Sequence, residues 1–480
     1  MRAAIPRQCQ LAVLILFFSA PGVAFSQSFH GGPLFDHFPL TLSLGERTEA
    51  AGPFFASEEQ PAQRGWAVPP LLSHTWYTDV DGEEVDFLYP CLTYDRYGQE
   101  YLWQFLQVVS FSGGQTQQDG GTRRAEIFPI YFHRRSPNPA DDYTAVLPFY
   151  GTIKHKFLRD EIHVVLFPFY VETRKKDVVT DNYLFPFFDL RRGDGLHGWQ
   201  FWPLVGAEHK VLTSRTNDFG TVETVPGHDK FFALWPLYFH DDTGLGTDNP
   251  ERFRAFLPLY AFTRSPQRDV SAYLWPFFSY TDDRAQKYRE WDFPWPLFVI
   301  ARGEGKTLTR FIPVYSRGFD TNMESQSYLW PVFTHHRDRA PALVRDRTKV
   351  LFWVYSKLDE TNVAAGTTKR RLDGWPLFTY TRGHEGNTRL QIFAPLEPIV
   401  PSSKSVQRNL SPLWTLWRSE RNAANGATSQ SLLWNLYRRD TTPKTRRTSL
   451  LLGLFQYQSG PEEKRLKLCF IPISKKKQTP

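Results

Sequence analysis

The chain has 480 residues, 41 % of them hydrophobic and 16 % aromatic, with 57 Lys+Arg against 50 Asp+Glu and a formal net charge of +7. Such a length holds one large core or roughly two to three ordinary domains, and its 3 cysteines exclude a disulfide framework or a cysteine-rich zinc site. The basic residues are scattered and form no dense stripe, which argues against nucleic acid and points to anionic company such as outer-membrane lipid or lipopolysaccharide.

In chain order, Arg2 and Arg7 precede the uncharged run Leu11–Ala20, and the small-x-small sites Gly22-Val23-Ala24 and Ala24-Phe25-Ser26 follow. This is the layout of a secretory signal peptide over 1–26, too short for a membrane span. A retained N-terminal anchor is the alternative. Cys9 stands before the apolar run, so it is not a lipoprotein acceptor. No long apolar run follows, which excludes a helical membrane protein but not a transmembrane β-barrel, whose signal is only short alternating segments. Residues 27–480 show no compositional break and no linker, so they read as a single β-repeat unit. Export is expected, to the outer membrane first and to the periplasm or the exterior next.

The repeat dominates from about 87 to 474. An aromatic–proline core recurs at Pro90, Pro129, Pro148, Pro168, Pro186, Pro203, Pro236, Pro258, Pro276, Pro296, Pro313, Pro331, Pro376, Pro395 and Pro472, as in Trp235-Pro236-Leu237-Tyr238 and Phe167-Pro168-Phe169-Tyr170. Degenerate copies place Gln104, Trp353, Thr415, Asn435 or Gly453 where the proline stands, giving about twenty anchors spaced about 20 residues apart. Weaker copies stand near Pro39 and Pro70. Phe, Trp, Tyr, Leu and Val fill each core without helical spacing, so each copy reads as one strand. The polar stretches between cores, such as Thr281-Asp282-Asp283 and Gly383–Asn387, read as turns. The fold class is therefore all-β, an antiparallel meander of about 20 repeated strands.

Split by parity about Pro258, one face carries Arg252, Arg254, Phe256, Tyr260, Phe262 and Arg264, with charge only toward the two ends. An apolar band flanked by polar ends, with aromatics near the band edges, suits a closed outer-membrane-type β-barrel. Two features oppose it. No polar wall is evident at mid-height for a wet lumen, and a proline in nearly every strand would remove a ladder hydrogen bond. The alternative is a soluble β-propeller or stacked-hairpin repeat that binds a glycan or a protein.

The repeated W-P-L-[FY] core resembles that of a loose group of uncharacterised bacterial exported proteins, outer-membrane β-barrel-like, over about Pro90 to Pro472. The resemblance implies a bacterial envelope setting and no particular activity. The expected roles are those of a pore, transporter or surface structure.

Catalytic signatures are absent from the sequence: no H-E-x-x-H, no G-x-S-x-G, no phosphate loop and no dinucleotide fingerprint. No enzyme, metal site or cofactor is expected. His335-His336 should point to opposite faces of a strand, and Asp241-Asp242 and Asp282-Asp283 read as turn residues. Asn409-Leu410-Ser411 fits a glycosylation acceptor, relevant only to a eukaryotic secretory route. Cys91 and Cys469, both at odd offsets from the first and last anchors, would meet if those two strands closed the sheet. Weak copies at Pro39 and Pro70, if real, would intervene.

Overall fold

The computed structural model describes residues 28–115, 121–216, 220–461 and 464–473. The expected signal segment with Cys9, and the basic run Lys475–Lys477, lie outside the described residues. Within them the protein is all-β: an antiparallel meander forms one sheet of 44 strands, and a separate two-stranded ribbon, Thr213–Thr216 with Val222–Val225, accompanies it. That ribbon explains the long interval between Pro203 and Pro236.

Each repeat is two strands and not one. In the copy around Pro186, the strand Val178–Tyr183 ends, residues 184–187 turn, and the strand Phe188–Gly193 returns, with Tyr183 opposite Phe188. The aromatic–proline core is thus the turn. Thirteen of the fifteen proline anchors, from Pro90 to Pro376, lie in such turns. Every cis X–Pro bond of the described residues also falls in these turns, the geometry of a type VI turn. The objection to proline in a ladder disappears, because proline sits where the chain reverses.

Four anchors depart from this pattern. Gln104 lies inside the strand Glu100–Phe105, and the real turn is 106–108, which removes the uneven spacing around it. Pro395 and Thr415 bracket an insert that carries two short helices, α1 (Lys404–Asn409) and α2 (Ser411–Trp414). Pro472 closes the last strand, Ile471–Pro472. Of the weak copies, Pro70 is a turn of the same kind, whereas Pro39 ends the strand Phe35–Pro39 at the opposite side of the sheet.

Because every second turn is aromatic, the two rims of the sheet differ. One rim carries all the aromatic–proline turns. The other carries polar turns such as Lys176-Asp177, Asp194-Gly195, Thr321-Asn322 and Thr442–Thr445. Strands of about six residues span only about 20 Å, short of the roughly 9–11 residues of a membrane-spanning strand. Asp241-Asp242 and Asp282-Asp283 lie within strands and not in turns. They pair across the ladder, Asp242 with Arg254 at 2.7 Å and Asp282 with Arg289 at 3.4 Å.

Among the described residues no ladder joins the first strand to the last. The two ends of the sheet meet face to face instead. Moving inward from the free edges, Gln456 Nε2 donates to the His30 carbonyl at 2.8 Å, Arg438 lies 3.9 Å from Asp36, and Arg418 lies 3.2 Å from Glu49. The sheet therefore curls with the face bearing these residues inside. Elsewhere the strands pack substantially only on their ladder neighbours, so most of the wall is a single layer. Cys91 and Cys469 are both free. The strands of residues 29–87 precede Cys91, so its strand is not the sheet's first and the expected closure beside Cys469 does not form.

Candidate functional site

Two features set parts of this wall apart: its aromatic rim and its seam. The rim begins with backbone. Leu88, Leu166, Leu184, Leu234, Leu274 and Leu329 each hold φ between 44° and 50°. This left-handed region costs an ordinary residue roughly 1–2 kcal/mol and favours Gly, Asn or Asp. The polar rim follows that preference in part, with Asp81, Gly98, Asp194, Gly195, Gly366 and Gly426 at positive φ beside Phe157, Leu158, Lys176 and Lys287. The aromatic rim does not, and its six leucines are also exposed, Leu184 by 48 % and Leu329 by 59 %. Leucine kept against its backbone preference, with its side chain in the open, is there for the side chain. We predict that Leu184→Gly raises thermal stability, by about 1 kcal/mol from the relieved strain, while weakening any apolar contact of the rim. A drop in the melting temperature would show the strain argument wrong.

The rim's backbone is sealed as well. Phe185 N–H donates to the Pro168 carbonyl at 2.6 Å, Trp235 N–H to Pro203 at 2.7 Å and Trp330 N–H to Pro313 at 2.6 Å, so successive turns are laced together. Proline has no N–H to leave unpaired. Turns of this kind suit an apolar medium, where an unsatisfied backbone group costs several kcal/mol.

Below the rim runs a girdle. Tyr170, Tyr183, Phe188, Phe201 and Val205 are successive cross-strand partners. Tyr238, Phe256, Tyr260, Tyr273 and Phe278 form another run of the same row, and Phe298, Phe311, Tyr315, Tyr328 and Phe333 a third. All lie on the outer face. Two residues further from the rim the outer row is mixed, as in Leu190, Trp199, Ala207, Phe231, His240 and Arg254. Two further still it is ionic: Arg192 and Asp242 reach back to Asp181 and Arg254 of the mixed row at 3.1 Å and 2.7 Å, and Arg370 pairs with Asp359 at 2.7 Å. The outer face thus grades from apolar to charged in one direction. The expectation of an apolar band with polar ends on both sides is corrected: each strand has one apolar end and one charged end.

The inner row beside the girdle is small or polar in stretches and apolar in others, where Phe132, Val164, Val171, Phe232 and Phe239 stand. Asn182, Asp189, Gln200 and Gly206 are partners in one stretch, and Ala255, Ala261, Ala272 and Ser279 in another. This polar inner wall was not evident in the sequence. It answers the missing-wall objection raised by residue parity along these stretches only.

The seam is charged and largely buried. Glu49 accepts from Asn435 Nδ2 at 2.6 Å and pairs with Arg418 at 3.2 Å and Arg47 at 2.7 Å. Burial opposes ionisation of Glu49, but Arg418, Arg47 and Arg438 outweigh it and hold the carboxyl far below the usual range. Burial instead raises Asp36, against the lowering influence of His30 and Arg438. The Arg438 guanidinium stacks 3.2 Å from the Phe38 ring. The insert of residues 393–416 braces the seam: Arg408 reaches Thr75 at 2.7 Å and Glu84 at 2.8 Å, and fully buried Asn409 donates to Asp86 at 2.8 Å. The acceptor-like Asn409 is therefore a structural residue. Between the two clasped faces lies a cavity of about 460 Å³.

His335 and His336 share one strand, and their neighbours in the ladder, Gln326 and Ser325, lie on opposite faces. Among the described residues, no three candidate metal ligands gather. The proline anchors meet no shared pocket and act only through the rim. No helix of the described residues is long and apolar enough to cross a membrane, which says nothing of strands. No family model matches the chain, and no curated protein matches it in sequence.

Proposed function

We propose that this is a non-catalytic protein of the bacterial outer membrane, a curved β-wall that stands on the lipid with its aromatic–proline rim immersed and keeps its polar inner face toward water. The observation that carries the reading is the rim, where exposed left-handed leucines and mutually hydrogen-bonded turns sit above a girdle made largely of aromatic rings. Turn, girdle and mixed row together make an apolar depth of roughly 10–15 Å, about half of a hydrocarbon core of about 30 Å. Immersion one leaflet deep fits that depth, and spanning does not. The girdle's Tyr rings suit the interface, where one edge of the ring meets headgroups.

The chain is then a surface structure or the rim of a wide chamber, in the range of roles expected of an outer-membrane β-barrel-like protein. Export by the N-terminal segment and lipopolysaccharide or lipid as the partner belong to this reading. The mature chain is expected to sediment with outer membranes and, once purified, to float with phospholipid vesicles on a density gradient. Recovery in the soluble periplasmic fraction, with no flotation, would refute the reading.

A further inference from the structure

At the seam two faces of the sheet enclose a cavity of ligand size, about 460 Å³. It spans the height of the wall. Leu433, Trp434 and Val400 line it toward the aromatic rim, and Leu40, Ser43 and Gln63 toward the polar rim. Small residues such as Ala56, Gly65 and Ser431 leave the space open where the faces would otherwise touch.

Its middle is positive in character. The Arg389 side chain is 46 % exposed while its partner Glu420 is 13 % exposed, and Arg418 is 26 % exposed against 14 % for Glu49. Glu49, Glu58, Glu397 and Glu420 also line the cavity, but six arginines and Lys404 outnumber them, and Arg389 and Arg418 keep more free surface than the carboxylates they pair with. Glu420 shows the same crowding: burial opposes its ionisation, but Arg389, Arg418, Arg47 and Arg438 hold it below its usual range. Arginine presents a planar fork that matches phosphate or carboxylate oxygens. An apolar end and a cationic middle in one cavity fit a molecule with a hydrocarbon part and an anionic head.

We propose that the seam cavity binds an anionic amphiphile, its phosphate or carboxylate head at Arg389 and Arg418 and its chain toward Leu433, Trp434 and Val400. Entry is from the rim side, so the proposal rests on the rim facing lipid.

The test titrates the full chain, in dodecyl maltoside, with dihexanoyl phosphatidic acid by calorimetry. Inorganic phosphate and dihexanoyl phosphatidylcholine serve as the other two probes. Saturable one-to-one binding of the phosphatidic acid is expected, with each of the other probes at least about tenfold weaker. Arg389→Gln should weaken the phosphatidic acid about tenfold, and Thr381→Phe, which fills the cavity from the opposite strand, should abolish it. Both variants are checked for an unchanged β-sheet spectrum. Equal binding of inorganic phosphate would make this a free-anion site, equal binding of the phosphatidylcholine would remove the head's role, and no binding would remove the site; each overturns the proposal. Vesicle flotation of the same two variants should be unchanged. Loss of flotation by the unaltered chain, with phosphatidic acid still bound, would strike the rim reading alone.

Discussion

Replacing Trp235, Trp275, Trp295 and Trp330 together by serine is expected to abolish flotation with vesicles and to leave the β-sheet signal intact. All four stand in aromatic turns and are between 46 % and 51 % exposed, so about half of each indole is free to meet lipid while the ladder hydrogen bonds of the strands do not depend on it. Moving the exposed half of an indole into lipid is worth roughly 2 kcal/mol at about 25 cal/mol per Å². Even half the summed effect, about 4 kcal/mol, lowers the partition constant about a thousandfold. Four serine substitutions on the polar rim, at Lys176, Lys287, Asn322 and Thr442, should change flotation little. Unchanged flotation of the tryptophan variant would mean that the rim does not carry the lipid contact.

The second large effect is expected at the seam. Glu49→Gln leaves Arg418 and Arg47 without their shared carboxylate. Removing one partner of a buried pair costs about 3 kcal/mol or more, so amide exchange should accelerate about a hundredfold over Phe35–Ala50 and Trp417–Arg421. The central strands, from Tyr170 to Tyr328, share no contact with Glu49 and should keep their rates. The pH dependence follows the same charges. Because Glu49 is held far below its unfolded value, its contribution is present at neutral pH, and it declines as acid passes below the usual carboxylate range. Asp36, raised by burial, acts with the opposite sign and loses stability as pH rises through its folded value. With the intrinsic exchange rates divided out, protection of the seam amides should therefore fall in acid in the native protein, and Glu49→Gln should flatten that fall. Uniform acceleration along the whole chain would show that the seam is not a separate unit.

All-β character and the meander were legible from the strand-forming composition and the period of about 20 residues. What was not legible is that one period holds two strands. The parity reading around Pro258 contained the signal: Arg252 and Arg264, Arg254 and Phe262, and Phe256 and Tyr260 stand in mirror order about the proline. They are cross-strand partners in the folded hairpin. Charge at both ends of the copy meant that both ends reach the same rim. A strand and a hairpin folded at its centre give the same residue parity when the turn has three residues, so only the mirror symmetry separates them. The asymmetry of the two rims follows from that one point.

The seam was beyond reach for a different reason. Glu49 and Arg418 are ordinary charged positions in their own strands, brought together only by the curl of the whole sheet. No local pattern encodes that contact. The insert at 393–416 was likewise concealed, because Pro395 and the Leu413–Trp417 run imitate two more copies of the repeat.

Depth in the bilayer tests the central claim most directly. Single cysteines are placed at Leu237 on the aromatic rim, Thr309 at mid-strand and Asn322 on the polar rim, in a chain with Cys91 and Cys469 replaced by serine. Each is labelled with a fluorophore and quenched by lipids carrying nitroxides at known depths. One-leaflet immersion predicts the deepest label at Leu237, a label near the headgroups at Thr309 and a fully aqueous one at Asn322. A deepest label at Thr309, with both rims near water, would contradict it and describe a wall that spans the membrane.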